Sequence, residues 1–345
     1  MHNRSGIIRL ITASICCLTV ILYSGYDIFF YKTKALPQKN NIAFLGNFEY
    51  SPTQTTSSQA TQSNPSTSST QNSSEANTSQ AVSAGSDSTV AGKVVERFIS
   101  PYTANTSYNG IYLKNSTNLN IDLKKLYESP LGYTIKKDGS VQVLIMHTHT
   151  TESFLHETRD YYTTSDAART LDEEYNMVKL GKIIADKLNA AGIKTLHDTT
   201  THDYPQYNGS YTRSAATVNS YLKKYPDIKI VIDLHRDAIA GDGTQKVKPV
   251  VEINGKKAAQ VMLVMGSQSG SVTNYPNWEQ NLKLAVKLQH QLEGMYPTLA
   301  RSISLVSKIY NQNLTTGSML IEVGTEVNSI QEVMYSAELL GNALV

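Results

Sequence analysis

Four short apolar runs mark the C-terminal two-thirds of the chain: VQVLIM (Val141–Met146), DIKIVIDL (Asp227–Leu234), QVMLVM (Gln260–Met265) and SMLIEV (Ser318–Val323). Each is rich in Val, Ile, Leu and Met and too short for a typical helix, so the pattern predicts buried strands. Between the first two, Tyr175, Val178, Ile183, Leu188 and Ala191 recur with helical spacing. Asp172, Glu173 and Glu174 precede them and Gly192 follows, which predicts a helix over 172–191. Helical patterns also run through 215–224, 277–295 and 329–340, and Asn254-Gly255 predicts a hairpin turn. Residues 99–131, with Tyr102, Tyr108 and Tyr112, fit neither period and are expected to pack onto the core as an N-terminal extension. Strands alternating with helices predict an α/β fold, a single catalytic domain with a mostly parallel sheet covered by helices.

The first ninety residues follow other rules. Leu10–Tyr26 is apolar and uncharged, with Arg4 and Arg9 before it and Lys32 and Lys34 after it. At roughly 17 residues it reaches the lower limit of a membrane-spanning helix. No convincing small-x-small cleavage site follows, because Asp27, Phe29, Phe30 and Tyr31 come next, so residues 1–34 are expected to form an uncleaved anchor, with a removed signal peptide as the alternative. Cations flank both ends, and charge alone does not set the orientation. About half of residues 51–90 are Ser or Thr. Such a segment has too little apolar surface to offset ordering entropy, and 35–93 is expected to be a disordered linker. A random coil of that length spans on the order of 40 Å. The folded catalytic domain is expected over 94–345, with its core from about 139.

Composition narrows the chemistry. With Lys+Arg 31 against Asp+Glu 29, the net charge is +2, and no basic excess marks a nucleic-acid binder. Both cysteines, Cys16 and Cys17, lie in the anchor segment. That excludes a disulfide framework, a thiolate metal site and a catalytic cysteine from the folded part. Any metal there is held by His, Asp or Glu. No G-x-S-x-G, P-loop or G-x-G-x-x-G occurs. Asp242 and Glu252 have no support as a glycosidase pair, and Trp278 reads as a helix start.

Three of the four strands end in metal-competent residues: His147-Thr148-His149-Thr150-Thr151-Glu152 after the first, His235-Arg236-Asp237 after the second, and Glu322 within the last. The carboxyl ends of parallel strands form the ligand crevice of an α/β sheet, so these distant segments can meet. A zinc hydrolase needs three His or carboxylate ligands, an open water position and a separate carboxylate base. His149, Glu152 and His235 can supply the ligands, leaving Glu322 to take the proton. His147 is either an alternative to His149 or its support, since a strand would aim both the same way and a turn would not. Asp233, Arg236 and Asp237 crowd the same strand end, where a structural ion-pair network is the competing explanation. Glu322 inside an apolar run is costly to bury unless paired or functional.

HTHTTESF (His147–Phe154), IDLHRDA (Ile232–Ala238) and LIEVGTEVN (Leu320–Asn328) resemble the motifs of the stage II sporulation protein P family. Asp203, Tyr207-x-x-x-Tyr211 and Arg213 extend the likeness, which runs from about Val141 to the C-terminus. The resemblance implies a membrane-anchored peptidoglycan hydrolase similar to zinc-dependent muramoyl amidases and zinc exopeptidases. The implied cofactor is Zn2+, with His149, Glu152 and His235 as ligands and Glu322 as catalytic carboxylate. His147, Arg213, Asp233, Arg236 and Asp237 become substrate-binding or supporting residues. Related amidases take their ligand Glu from the start of the first helix, which makes Glu173 a competitor of Glu152. The implied reaction cuts the amide between N-acetylmuramic acid and L-alanine, and also stem-peptide cross-links, in septal thinning and engulfment. A zinc carboxypeptidase and a non-catalytic wall-binding protein are the alternatives. Implied partners are peptidoglycan and the stage II sporulation proteins D and M. The implied location is the cell membrane, with the domain between the mother-cell and forespore membranes.

Overall fold

A computed structural model describes residues 89–345. The anchor and all of the linker before residue 89 lie outside the described residues. Among the described residues, no helix is long and apolar enough to cross a membrane. The first strand, β1 (Val90–Arg97), begins four residues ahead of the expected start at 94.

Eight strands build the main sheet: β2 (Thr106–Tyr108), β3 (Ile111–Asn115), β4 (Val143–Met146), β6 (Thr195–His197), β7 (Ile230–Asp237), β10 (Val261–Gly266), β11 (Ile303–Val306) and β12 (Ser318–Thr325). Their order is β2-β3-β11-β10-β12-β7-β4-β6. Strands β12, β7, β4 and β6 run parallel to one another, so their carboxyl ends share one edge. Strand β10 is antiparallel to β12, and β11 and β3 run parallel to β10. The sheet is therefore mostly parallel but reverses at β12, which strand composition alone does not reveal. The ambiguous segment 99–131 joins this sheet through β2 and β3, and contributes α1 (Leu123–Glu128).

A smaller sheet, β5-β1-β8-β9, uses β5 (Tyr161–Thr163), β8 (Lys246–Ile253) and β9 (Lys256–Ala259). The β8–β9 hairpin turns at Asn254 and Gly255, both at positive φ (52° and 75°), as the two-residue turn requires. Buried Lys248 ties this sheet down, its Nζ 2.8 Å from Glu332 and 3.0 Å from Glu96.

Side chains alternate across a strand, and the two faces of the main sheet differ. One face carries Val143, Ile145, Ile232, Leu234, Ile321, Val323 and Leu263. It forms the main core with α2 (Met177–Ala190), α4 (Trp278–Met295) and α5 (Ile330–Leu344). The other face carries Leu144, Met146 and Val231, against which α3 (Ser210–Lys224) packs through Val218. Further along that face, Val264, Val306 and Leu320 meet Tyr310 from a loop, and no helix is part of the cluster.

Helix α2 starts five residues later than the acidic run suggests. Asn176 caps it by accepting from Val178 N, while Asp172 Oδ1 accepts from Glu174 N in the preceding turn. Asp and Asn compete locally with the helical backbone, which sets the start at the second of them. Glu173 is exposed there.

Candidate active site

The register that pairs β7 with β12 sets Glu322 beside His235 and Leu320 beside Asp233. The pairing of β12 with β10 continues the first row to Met262. Asp233, His235 and Glu322 therefore share the face under α3, two positions apart along their strands. The cluster lies within the strands and on a sheet face as well as at the strand ends.

The turn after β4 brings the next groups. His147 continues the strand's alternation onto the helix-covered core face and is fully buried. Its Nδ1 lies 3.2 Å from Leu234 O, and a carbonyl only accepts, so Nδ1 carries the proton. Nε2 then accepts from His197 Nε2 at 2.8 Å. Burial, with His197 adding to it, depresses His147 to about 3 and keeps it neutral. The turn breaks the alternation, and His149 goes to the opposite side.

His149 meets His235 edge to face at 5.2 Å between ring centroids, stacks on Tyr207 at 4.7 Å and meets Tyr211 at 5.6 Å. Its nitrogens reach Tyr207 Oη (3.2 Å) and Ser210 Oγ (3.4 Å). Burial depresses it to about 4, and His235 adds to this. Glu152 Oε2 accepts the Arg236 backbone N–H at 3.0 Å and lies 3.7 Å from His235 Nδ1. Two ligand atoms each about 2.1 Å from one zinc ion stand at a similar separation.

His235 Nε2 lies 2.9 Å from Asp233 Oδ1. Burial works against a charged ring, yet Asp233, Glu152 and Glu322 outweigh it and lift His235 to about 9. Asp233 in turn sits below its usual range despite burial, because His235 and Thr148 favour its charge. Glu322 is pushed well above the usual carboxylate range by burial and by Asp237, against the pull of Arg301 and His235.

Neither His235 Nε2 nor Glu322 Oε2 has a hydrogen bond of ordinary geometry. Among the described residues, no three His, Cys, Asp or Glu side chains already converge as a complete metal site. The donor set fits a zinc ion in kind: two neutral-capable imidazoles, one carboxylate at ligand spacing, and a carboxylate behind one imidazole.

The remaining expected residues are held elsewhere. Arg213 donates to the carbonyls of His202, Gln206 and Asn208. Arg236 donates to Ala168 O and Asp237 O and lies 3.5 Å from Glu326. Asp237 pairs with Arg301 at 2.8 Å. The guanidinium facing this cleft belongs to Arg169, which pairs with Asp203, lies 3.8 Å from Glu152 and sits over the Tyr207 ring at 4.5 Å. Arg169 has no sequence signature, since it lies in an irregular segment placed by the Glu152–Arg169 bridge.

These elements define an α/β domain with a buried His–carboxylate cluster on one face of its sheet. The chain belongs to the stage II sporulation protein P family, whose model, "Stage II sporulation protein P (SpoIIP)", matches residues 23–345. It is 30% identical over 206 residues to the stage II sporulation protein P of Bacillus subtilis (strain 168). That match covers 56% of this chain and spans about half (48%) of the relative. Among solved structures, it is similar to the N-acetylmuramyl-L-alanine amidase Ami1 of Mycobacterium abscessus (TM-score 0.36, 13% identity, 59% of this chain and 95% of that one). It is also similar to the N-acetylmuramoyl-L-alanine amidase AmiC2 of Nostoc punctiforme (TM-score 0.35, 14% identity, 60% and 97%).

Proposed function

We propose that the domain is a peptidoglycan hydrolase of sporulating cells, cutting the amide between N-acetylmuramic acid and L-alanine. The observation that carries this is the row His235–Glu322 with Glu152 3.7 Å from His235 and His149 5.2 Å away, in a chain of this family. His149, Glu152 and His235 are the residues that would hold Zn2+. The chemistry such an ion supplies is Lewis-acid activation of water and of the amide carbonyl.

The chain's own groups do the rest. Asp233, fixed by Thr148, orients the His235 ring from behind. Glu322, buried and raised in pKa, takes the proton of the attacking water and delivers it to the leaving amine. Tyr207, and Tyr211 from α3, pack against the rings of His149 and His235 and shield them from water. On the same reading, residues 1–34 hold the domain at a membrane and the sporulation proteins D and M are candidate partners.

The test is digestion of purified cell-wall sacculi by the full-length chain, with mass spectrometry of the products. The expected products are free stem peptides and peptide-free glycan. Cross-link cleavage adds shortened peptides, release of single terminal amino acids would indicate a carboxypeptidase, and intact wall would indicate a binding protein.

A further inference from the structure

Towards β10 and β11, the same sheet face meets residues 307–317, a segment that also bonds to the start of α3. Tyr310 packs there against Val264, Val306 and Leu320, with Met262 alongside. Met262 is the direct neighbour of Glu322 in the pairing, and Leu320 lies two residues before Glu322 on the same face. Tyr310 thus packs beside the strand position of the buried Glu322 carboxylate. Its ring is 6.0 Å from Tyr211, which itself stacks over His235.

The backbone that places this ring is unusual. Tyr310 and Asn311 both have positive φ (49° and 56°). A bulky residue seldom adopts that conformation unless its surroundings enforce it. Here they do so from both sides. Asn311 Nδ2 donates to Tyr211 O (2.8 Å) and Ser214 Oγ (3.1 Å), at the start of α3. Gln312 accepts from Gly266 N and donates to Val264 O, both at 2.8 Å, and Asn281 donates to its carbonyl at 2.6 Å. Ser214 Oγ also lies 2.8 Å from Thr148 Oγ1, which donates to Asp233. The loop is therefore hydrogen-bonded into the network behind His235.

A lid that only excluded water would need neither a hydroxyl nor a strained turn. The Tyr310 hydroxyl makes no hydrogen bond within the described residues and is not sealed from solvent. Burial, with Glu322 adding to it, raises its pKa to about 12, so the group stays a proton donor at neutral pH.

We propose that Tyr310 positions the substrate on the Glu322 side of the cleft, its hydroxyl donating to a carbonyl oxygen of the peptide beside the scissile bond. The ring closes over the same peptide. This rests on the hydrolase reading above.

The test uses soluble disaccharide-peptide wall fragments and the full-length chain with Tyr310→Phe, Tyr310→Ala and Asn311→Gly. Tyr310→Ala is expected to lower kcat/KM at least about tenfold, as removal of a well-placed aromatic anchor does. Tyr310→Phe is expected to raise KM several-fold with kcat nearly kept. Asn311→Gly keeps the backbone conformation but deletes the anchor, and is expected to lower kcat/KM with little change in melting temperature. Wild-type turnover with both Tyr310 variants within twofold of it would overturn the proposal and leave the hydrolase reading intact. If the wild type releases nothing, calorimetric binding of the same fragments to Glu322→Gln with and without Tyr310→Phe decides. Weaker binding on loss of the hydroxyl supports the positioning role; equal affinity, or no binding to either, overturns it.

Discussion

Asp233 grips Thr148 with both carboxylate oxygens: Oδ1 accepts the backbone N–H at 2.8 Å and Oδ2 accepts the hydroxyl at 2.7 Å. The same Oδ1 stands 2.9 Å from His235 Nε2. The first residue of the turn after β4 thereby fixes the carboxylate that orients an imidazole on β7. Thr148→Val keeps the shape and deletes the hydroxyl donor. Zinc affinity is expected to fall about tenfold, within the range typical of residues behind a metal ligand. Competition with a chelator of known affinity measures it, and an unchanged affinity would uncouple Thr148 from His235.

Glu152 and Glu173 are separated by placement. Glu152 lies beside His235, whereas Glu173 is exposed ahead of α2. Glu152→Ala is expected to abolish stoichiometric zinc, and Glu173→Ala to retain it. Elemental analysis of the purified variants checks both, and the reverse pattern would exchange their roles.

Glu322→Gln replaces a buried acid by a neutral group of the same shape. Turnover of sacculi is expected to disappear while bound zinc remains. The melting temperature of the metal-free protein is expected not to fall, because the native carboxylate has no hydrogen bond at Oε2 to lose. Calorimetry on metal-stripped wild type and variant tests this.

Gly181 on α2 faces the His147–His197 pair. A Cβ there would stand 2.7 Å from His147 Nε2 and closer still to His197 Nε2. Alanine improves helix propensity by up to about 1 kcal/mol. Overpacking against two buried rings costs about 1–3 kcal/mol and more when nothing can shift. Gly181→Ala is therefore expected to destabilise the domain, as a lower urea midpoint at unchanged slope.

Lys248 is buried between Glu332 and Glu96. Lys248→Met leaves the Glu332 charge without its cation, at a cost of about 3 kcal/mol. Chemical denaturation reads this loss, and full stability in the variant would show Asn328 and Ser329 to be sufficient partners for Glu332.

The four apolar runs became β4, β7, β10 and β12 because each is buried on both faces, the condition under which hydrophobic pattern speaks most clearly. The direction of β10 was not legible, since nothing in QVMLVM encodes which way its neighbour runs. Strands β1 and β5 were missed for a related reason: they are short or half-exposed. His149, Glu152, His235 and Glu322 could be picked out because charged residues interrupted apolar strands or followed them directly. The different directions of His147 and His149 depended on a turn after Met146. Arg169 and Tyr310 lie in irregular segments, where side-chain position follows from tertiary hydrogen bonds and leaves no mark in spacing.

Strand β1 enters the fold at Val90 and pairs in parallel with β8 through Val94–Arg97, and antiparallel with β5 through Lys93. The first described strand is thus held on both of its edges, and Lys248 links its neighbour β8 through Glu332 to α5, away from the row of His235 and Glu322.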